Sequence, residues 1–279
     1  MKLVSQNYGK ARVRLCKVLR DGPVHSVKEI TVRIALEGEF AASYQSGDNS
    51  CIVPTDTMKN AINVLAYNHL GVDNEPFAQT VADHFLNRYA QVTKVVVEIE
   101  ERSWNRLVVG GVPHPHSFTQ TQRATPLARL VQTRSSTSLE SGVQGLTLLK
   151  TTGSGFSGFA TCEHTTLPPT EDRLLATTLK ARWIWNAVPA SYQATTEAFL
   201  KAVVVPFAQN HSPSVQATLW EMAAAAFEAC PEIQEITLTL PNLHYFTQNL
   251  QAFGIDNTNV LMLPSGEPHG QIEATLSRN

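Results

Sequence analysis

The sequence lacks any apolar run that approaches the roughly 20 residues a helix needs to cross a bilayer, so no segment reads as a membrane span. It also lacks charge of one sign: 22 Lys plus Arg stand against 24 Asp plus Glu, a net charge of −2 with His neutral. That balance leaves no footprint for a nucleic acid or another polyanion. Cysteine is scarce, and Cys16, Cys51, Cys162 and Cys230 form no Cys-x-x-Cys pair. Their spacing supports neither a disulfide framework nor a zinc ribbon, and reduced, mostly buried thiols are expected. There is no His-Glu-x-x-His, which removes the zinc-protease signature. Polar residues follow Met1-Lys2-Leu3 where a signal peptide would place its apolar core. Ser277-Arg278-Asn279 is not a Ser-Lys-Leu peroxisomal address, so a cytoplasmic location is expected.

What is present is a chain of 279 residues, 43% hydrophobic and 16% charged, enough for one large domain or two ordinary ones with a substantial core. Arg12 to Arg20 alternates apolar and polar residues and predicts a strand. Asp21-Gly22-Pro23 predicts a turn, and Ile30 to Phe40 the return strand of a hairpin. Helical spacing follows twice. One segment opens at Pro54, with Met58, Ile62 and Leu65 on one face; the other, Glu75 to Tyr89, aligns Phe77, Val81, Phe85 and Leu86. Val92 to Glu100 predicts a strand, and Leu107 to Phe118 another.

The second half repeats that order. Strand-like pieces within Leu146 to Cys162 and a long strand, Leu174 to Trp185, precede helices at Ala194 to Ala208 and Ser214 to Ala229. Ser212 is the expected N-cap of the latter, with Pro213 in its first turn. Strands follow at Ile233 to Leu240, Asn259 to Leu263 and Ile272 to Leu276. The second strands (Ile30, Leu174) and the third strands (Val92, Ile236) recur at one common offset, which reads as a duplication. Each half is thus β-β-α-α-β-β, an α+β arrangement of an antiparallel sheet with a helix pair on one face. The join falls in the Ser- and Thr-rich stretch Thr133 to Gly142, giving domains over residues 1–137 and 138–279. Such sheets keep free edges, and joining them across subunits would close a barrel, so a homo-oligomer is expected.

Several short stretches carry chemistry. Leu240-Pro241-Asn242-Leu243-His244-Tyr245-Phe246 crowds an amide, an imidazole and a phenol onto a strand end, where Pro241 is expected to stop regular pairing. Alone, Asn beside Pro is turn chemistry and a single His is a satisfied one. Gly153 to Gly158 matches a dinucleotide-binding fingerprint by letter, but Phe159 to Thr166 and then Pro168-Pro169 cannot supply the helix that motif must open. Phe156 remains of interest, as an aromatic on a close-approach segment. His114-Pro115-His116 has no partner carboxylate and reads as turn histidines. Val53 to Met58 reads as a helix start, with Thr55 as N-cap and Asp56 in the first turn. The free N–H groups at such an end also suit an anion or an acidic heterocycle. The same holds for Ser214-Val215-Gln216, which opens the corresponding helix of the second half. Lys10 and Arg173, each by itself, read as solvated cations.

As a set, these segments resemble the urate oxidase (uricase) family. Tyr8-Gly9-Lys10, Asp48 to Asp56, His114 to Phe118, Gly155 to Phe159, Asp172-Arg173, Ser214 to Thr218 and Leu240 to Phe246 run in family order along nearly the whole chain. The resemblance implies two tandem tunnelling-fold (T-fold) domains that close into a barrel in a homotetramer, with active sites at subunit interfaces. It implies oxidation of urate by dioxygen to 5-hydroxyisourate with release of hydrogen peroxide, using no cofactor and no metal. Lys10, Thr55 and His244 would form a catalytic proton relay. Arg173 and Gln216 would grip one edge of the purine, Phe156 would stack on it, and backbone groups of Val215, Thr55 and Asp56 would add contacts. Thr55 and Asn242 would surround the pocket for dioxygen, peroxide or water, with Thr55 and Asp56 arriving from the neighbouring subunit.

Each implied role has a chemical reason. A guanidinium fork meets adjacent acceptors of a flat anion bidentately, and a glutamine offers donor and acceptor together. Phenylalanine stacks without a competing hydrogen bond. Lys10 can serve as base only where burial lowers its pKa from about 10.4. A threonine hydroxyl both donates and accepts, and a histidine exchanges a proton near neutral pH. Two alternatives stand beside this reading. One is another T-fold enzyme acting on a pterin or a purine such as a guanine nucleotide, for example an aldolase or a cyclohydrolase; a cyclohydrolase would want zinc-binding Cys and His, which this chain does not place at ligand spacing. A purine-binding barrel without chemistry would have no use for Lys10, Thr55 and His244 together.

Overall fold

The computed structural model describes residues 1–20, 22–120 and 124–278; Asp21 of the expected turn and Asn279 lie outside them. The chain divides into two compact units, Met1–Val143 with Val188–Ala194, and Gln144–Ala187 with Thr195–Asn279. Strands pair antiparallel in both and helices are few, so the fold is α+β.

In the first unit, β1 (Tyr8–Leu19) and β2 (Ser26–Gly38) make the expected hairpin. A short helix, α1 (Ala41–Ser46), follows, then α2 (Thr55–His69), α3 (Asn74–Arg88) and β3 (Val92–Arg102), which pairs with β2. Alternation sends Ile30, Val32, Ile34 and Leu36 of β2 and Val95, Val97 and Ile99 of β3 to one buried face. There they meet Met58 and Ile62 of α2 and Phe77, Val81 and Phe85 of α3, the residues that helical spacing had singled out.

Leu107 to Phe118 is not one strand. It is a hairpin of its own, β4 (Trp104–Val109) and β5 (Val112–Gln120), turning at Gly110 and Gly111. Their φ values of 59° and 82° are the pair that a tight two-residue hairpin turn demands. The strand that does pair with β3 is β6 (Thr125–Thr133), obscured in the sequence by Pro126 and an unalternating Leu-Ala-Arg-Leu-Val run. In the Ser- and Thr-rich stretch that follows, Thr133 N–H donates to Ser136 O at 2.8 Å, and β7 (Thr137–Lys150) begins directly after.

β7 carries the chain into the second unit, whose strand order is β7-β8-β9-β10. β8 is Leu175–Trp185, β9 Ile233–Thr247 and β10 Met262–Ser277. The two strands expected at Asn259 to Leu263 and Ile272 to Leu276 are therefore one, with a register shift between Ser265 and Gly270. Helices α4 (Tyr192–Gln209) and α5 (Val215–Ala229) bring Phe199, Val203, Leu219 and Met222 to a core that includes Trp183, Ile236 and Leu238. Trp183 stacks on Phe199 at 4.6 Å.

Pro241 does not end β9. Thr239↔Lys180 and Leu243↔Ala176 flank it in one register, and Pro241↔Gln271 pairs with β10. A proline costs the ladder one donor, and neighbours held on both sides override that loss. Both expected N-caps are also displaced. Ser214, not Ser212, caps α5, its hydroxyl accepting from Ala217 N–H at 3.1 Å; α2 follows Pro54, and no side chain caps it. In chain order α5 answers to α3 rather than to α2. The expectation of mostly buried thiols also fails: all four are free, but only Cys230 is buried, while Cys16 lies on a solvent-facing strand position and Cys162 in an irregular segment. Among the described residues, no helix is long and apolar enough to cross a membrane.

Candidate active site

Within the first unit, Lys10 sits at an irregularity. The β1–β2 register shifts between Lys10 and Val13, and Arg12 takes φ 58°, a left-handed conformation that side chains seldom adopt. Gly9 has no room for a side chain, since a Cβ would stand 1.8 Å from the Ile34 carbonyl oxygen. Thr55 opens α2 half-buried, and Asp56 follows it exposed. Asp56 accepts from Lys59 Nζ and, at 3.0 Å, from Asn60 Nδ2. Lys59 does most to hold the Asp56 carboxyl below the usual range, and the Lys10 ammonium adds a smaller pull. Lys10, Thr55 and Asp56 thus belong to one unit and one neighbourhood.

The second unit assembles its residues on a frame closed by backbone. Gly155 N–H donates to Ser212 O and Ser212 N–H to Gly153 O, both at 2.8 Å. Phe156 and Thr170 exchange N–H···O bonds of 2.7 and 3.0 Å. A Cβ on Gly155 would lie 3.1 Å from the carbonyl oxygens of Thr170 and Glu171, so glycine is what lets these segments close. Asp172 accepts from Thr152 Oγ1 and Gly153 N–H at 2.9 Å, and Arg173 N–H donates to Ser154 O at 2.6 Å. The result lays the Arg173 guanidinium over the Phe156 ring, 5.3 Å from its centroid. Phe159 stacks on Phe156 at 4.9 Å and 15°. This segment leads through coil into β8, without the helix a dinucleotide fingerprint requires.

Partial burial draws the Arg173 pKa below its ordinary value, though a guanidinium remains charged at neutral pH. Its Nε is buried without a hydrogen-bond partner, and so is the Ser154 hydroxyl. An open buried donor costs about 1–3 kcal/mol, and more when charged, unless a ligand or an ordered water meets it.

At the start of α5, Thr218 Oγ1 donates to Ser212 Oγ at 2.6 Å and Ser212 Oγ donates to Ser214 O at 3.1 Å, a hydroxyl chain beneath buried Val215 and exposed Gln216. Asn242 and His244 lie two apart on β9, hence on one face, and both are half-buried. Opposite them β10 changes register between Ser265 and Gly270, and the His244 ring stacks on Phe246 at 5.7 Å and 18°. The second unit therefore holds Phe156, Arg173, Val215, Gln216, Asn242 and His244, of which Phe156 and Arg173 are in direct contact. Beyond Ser212 as an expected helix cap and Tyr8 and Asp172 as members of motifs, the sequence assigns no site role to Tyr8, Ser154, Asp172 or Ser212; their signal is adjacency to the named residues. His114 and His116 are not turn histidines: both lie on β5, their rings edge to face at 4.5 Å, with Arg106 donating to His114 O at 2.8 Å. Among the described residues, no group of three or more His, Cys, Asp and Glu is arranged to hold a metal ion.

A sequence model of the uricase family matches residues 6–131 and 139–273, a span that includes every candidate residue above. The chain belongs to the uricase family. It is 36% identical over 286 residues to the uricase of Oryctolagus cuniculus, covering 100% of this chain and 95% of that one. To the uricase of Arthrobacter globiformis it is 37% identical, covering 99% of this chain and 90% of that one. The crystal structure of the Arthrobacter globiformis uricase superposes with a TM-score of 0.93, covering 100% of this chain and 95% of that one. A urate oxidase of Bacillus sp. TB-90, at 23% identity, shares the fold with a TM-score of 0.84.

Proposed function

We infer that this chain is a urate oxidase. Membership of the uricase family along its whole length supports the activity. At the level of residues, the Arg173–Phe156 pair carries it: a guanidinium with an open buried donor stands beside an aromatic ring on a glycine-closed frame. A flat, anionic purine satisfies both, stacking on the ring and accepting from the fork. Gln216 complements the same edge with a donor and an acceptor.

Urate gives two electrons and two protons to dioxygen, hydrogen peroxide leaves, and water adds to the oxidised purine to give 5-hydroxyisourate. Lys10 takes the proton that makes the bound purine electron-rich, Thr55 relays it, and His244 holds or passes it on. Backbone groups of Val215, Thr55 and Asp56 complete the purine contacts, and Thr55 and Asn242 flank the pocket for dioxygen, peroxide or water. The same reading takes residues 1–137 and 138–279 as tandem T-fold repeats that close into a barrel in a cytoplasmic homotetramer. Thr55 and Asp56 of one subunit then complete the site of its neighbour.

Metal-stripped protein given urate under air tests this directly, through urate absorbance, oxygen uptake and peroxide formation. Urate should disappear without added metal; no consumption, or strict dependence on a metal, overturns the reading. Lys10→Met should nearly abolish turnover while leaving urate binding largely intact. Gel filtration should show a tetramer, and an active monomer would contradict the shared site.

A further inference from the structure

We propose that Tyr8 is a positioning residue for this reaction, its phenol clamping the Val53 peptide and so holding the start of α2, with Thr55, against the strand that carries Lys10. The proposal rests on the roles given above to Lys10 and Thr55.

Tyr8 Oη accepts from Val53 N–H at 2.7 Å and donates to Val53 O at 3.2 Å, so one hydroxyl spends its donor and an acceptor on a single residue. Val53 is 1% exposed and lies two residues before Thr55. The ring is fixed as well, standing edge-on to buried Phe40 at 4.8 Å and 87°. Burial raises the phenol pKa, which keeps the donating proton in place. The strand side of the clamp cannot slide. Tyr8, Gly9 and Lys10 pair in sequence with Leu36, Ala35 and Ile34, and Gly9 leaves no space against Ile34 O. Tyr8 and Lys10 are two apart on β1, hence on one face: the phenol reaches Val53, and the ammonium acts on Asp56. Because no side chain caps α2, the lead into Thr55 depends on this tie, with Gln91 Nε2 to Cys51 O at 2.9 Å holding the segment further back. Displacing a catalytic group by about 1 Å can cost on the order of a hundred-fold in rate.

Tyr8→Phe keeps the ring on Phe40 and removes both hydrogen bonds. Per folded enzyme, kcat for urate oxidation should fall about ten-fold. The urate Kd measured without oxygen should change less than about three-fold, because Arg173 and Phe156 are untouched and only the backbone contacts of Thr55 and Asp56 lie on the loosened segment. Gln91→Leu, which cuts only the more distant tie, should stay within about two-fold of wild-type kcat. A wild-type kcat in Tyr8→Phe overturns the proposal, as does a loss accounted for entirely by Kd or by unfolded protein. An equal loss in Gln91→Leu overturns it too, since general loosening of the segment would then suffice. Wild-type protein that consumes no urate would instead overturn the functional reading beneath it.

Discussion

In the first unit, the sheet face turned away from the helices carries charge in register, with Arg33 and Arg129 bracketing Glu98, and Arg14 and Arg102 bracketing Glu29. The second unit puts hydroxyls in that place: Thr237 with Thr275 at 2.8 Å, Thr147 with Thr178 at 3.0 Å, and Thr239 donating to Glu273 at 2.7 Å. Beneath these surfaces the plan is shared down to one residue. Arg134, just past β6, donates to Tyr89 O, Ala90 O and Val92 O, each at 3.3 Å, where α3 ends. Arg278, just past β10, donates to Ile233 O at 2.7 Å, to Cys230 O at 3.1 Å and to Phe227 O, where α5 ends. The two arginines stand at the same offset as the repeated strands, and both answer the free carbonyls of a helix C-terminus.

The units differ most in one connection. Between β1 and β2 of the first unit only residues 20–25 intervene; between β7 and β8 the second runs from Lys150 to Leu175 and carries Phe156 and Arg173 there. The sheet-and-helix scaffold recurs, while a segment without counterpart brings the guanidinium to the ring.

Replacing that guanidinium should have the largest effect. Arg173→Ala is expected to lower kcat/KM by roughly a thousand-fold, about 4 kcal/mol, measured by oxygen uptake. Arg129→Ala, in the exposed ladder of the first unit, should leave turnover within about two-fold, since such pairs contribute roughly 1 kcal/mol at most. Next come the shared caps. Arg278→Ala should cost about 2–3 kcal/mol in urea unfolding, because a half-buried fork satisfies three carbonyls and lies 5.0 Å over the Phe227 ring. Arg134→Ala, exposed and with longer bonds, should cost about 1 kcal/mol or less; equal losses would break the contrast. Ser214→Ala should cost about 1 kcal/mol of stability, whereas Thr55→Ala, at an uncapped helix start, should show itself mainly in turnover.

The smallest expected effect concerns pH. Burial raises the pKa of Glu75 at the start of α3; Asp73 adds to the rise, while Ser141 and Lys28 oppose it. The folded state holds this proton more tightly than the unfolded chain does, so its contribution is full below the ordinary carboxylate pKa and is lost as pH rises through the raised value. Glu75→Gln keeps an acceptor for Ser141 without the charge. Its Tm relative to wild type should therefore climb from about pH 4 to about pH 8. A difference that stays flat across that range would show that Glu75 pays no desolvation penalty.

Much of the scaffold was legible because burial acts through local periods. The alternation of Ile30 to Leu36 and the helical spacing of Phe77, Val81 and Phe85 predicted the faces that the core buries. What escaped had punctuation that misled. Gly110-Gly111 sits inside an apparently single strand and is the turn between two, Pro126 hides β6, and Pro241 has the character of a strand end though pairing flanks it. The site was legible only as scattered motifs. Nothing local in Gly155-Phe156 or Asp172-Arg173 says that the ring and the guanidinium meet.

By itself the sequence determined the buried faces and the family to which its motifs belong, since each is written in spacing along the chain or in residue identity. Only the tertiary structure decided that Arg173 covers Phe156 with an open donor and that Tyr8 grips Val53. Those contacts depend on backbone hydrogen bonds and close approaches between segments distant in the chain, such as Gly155 to Ser212 and Gly9 to Ile34, and no local period records them.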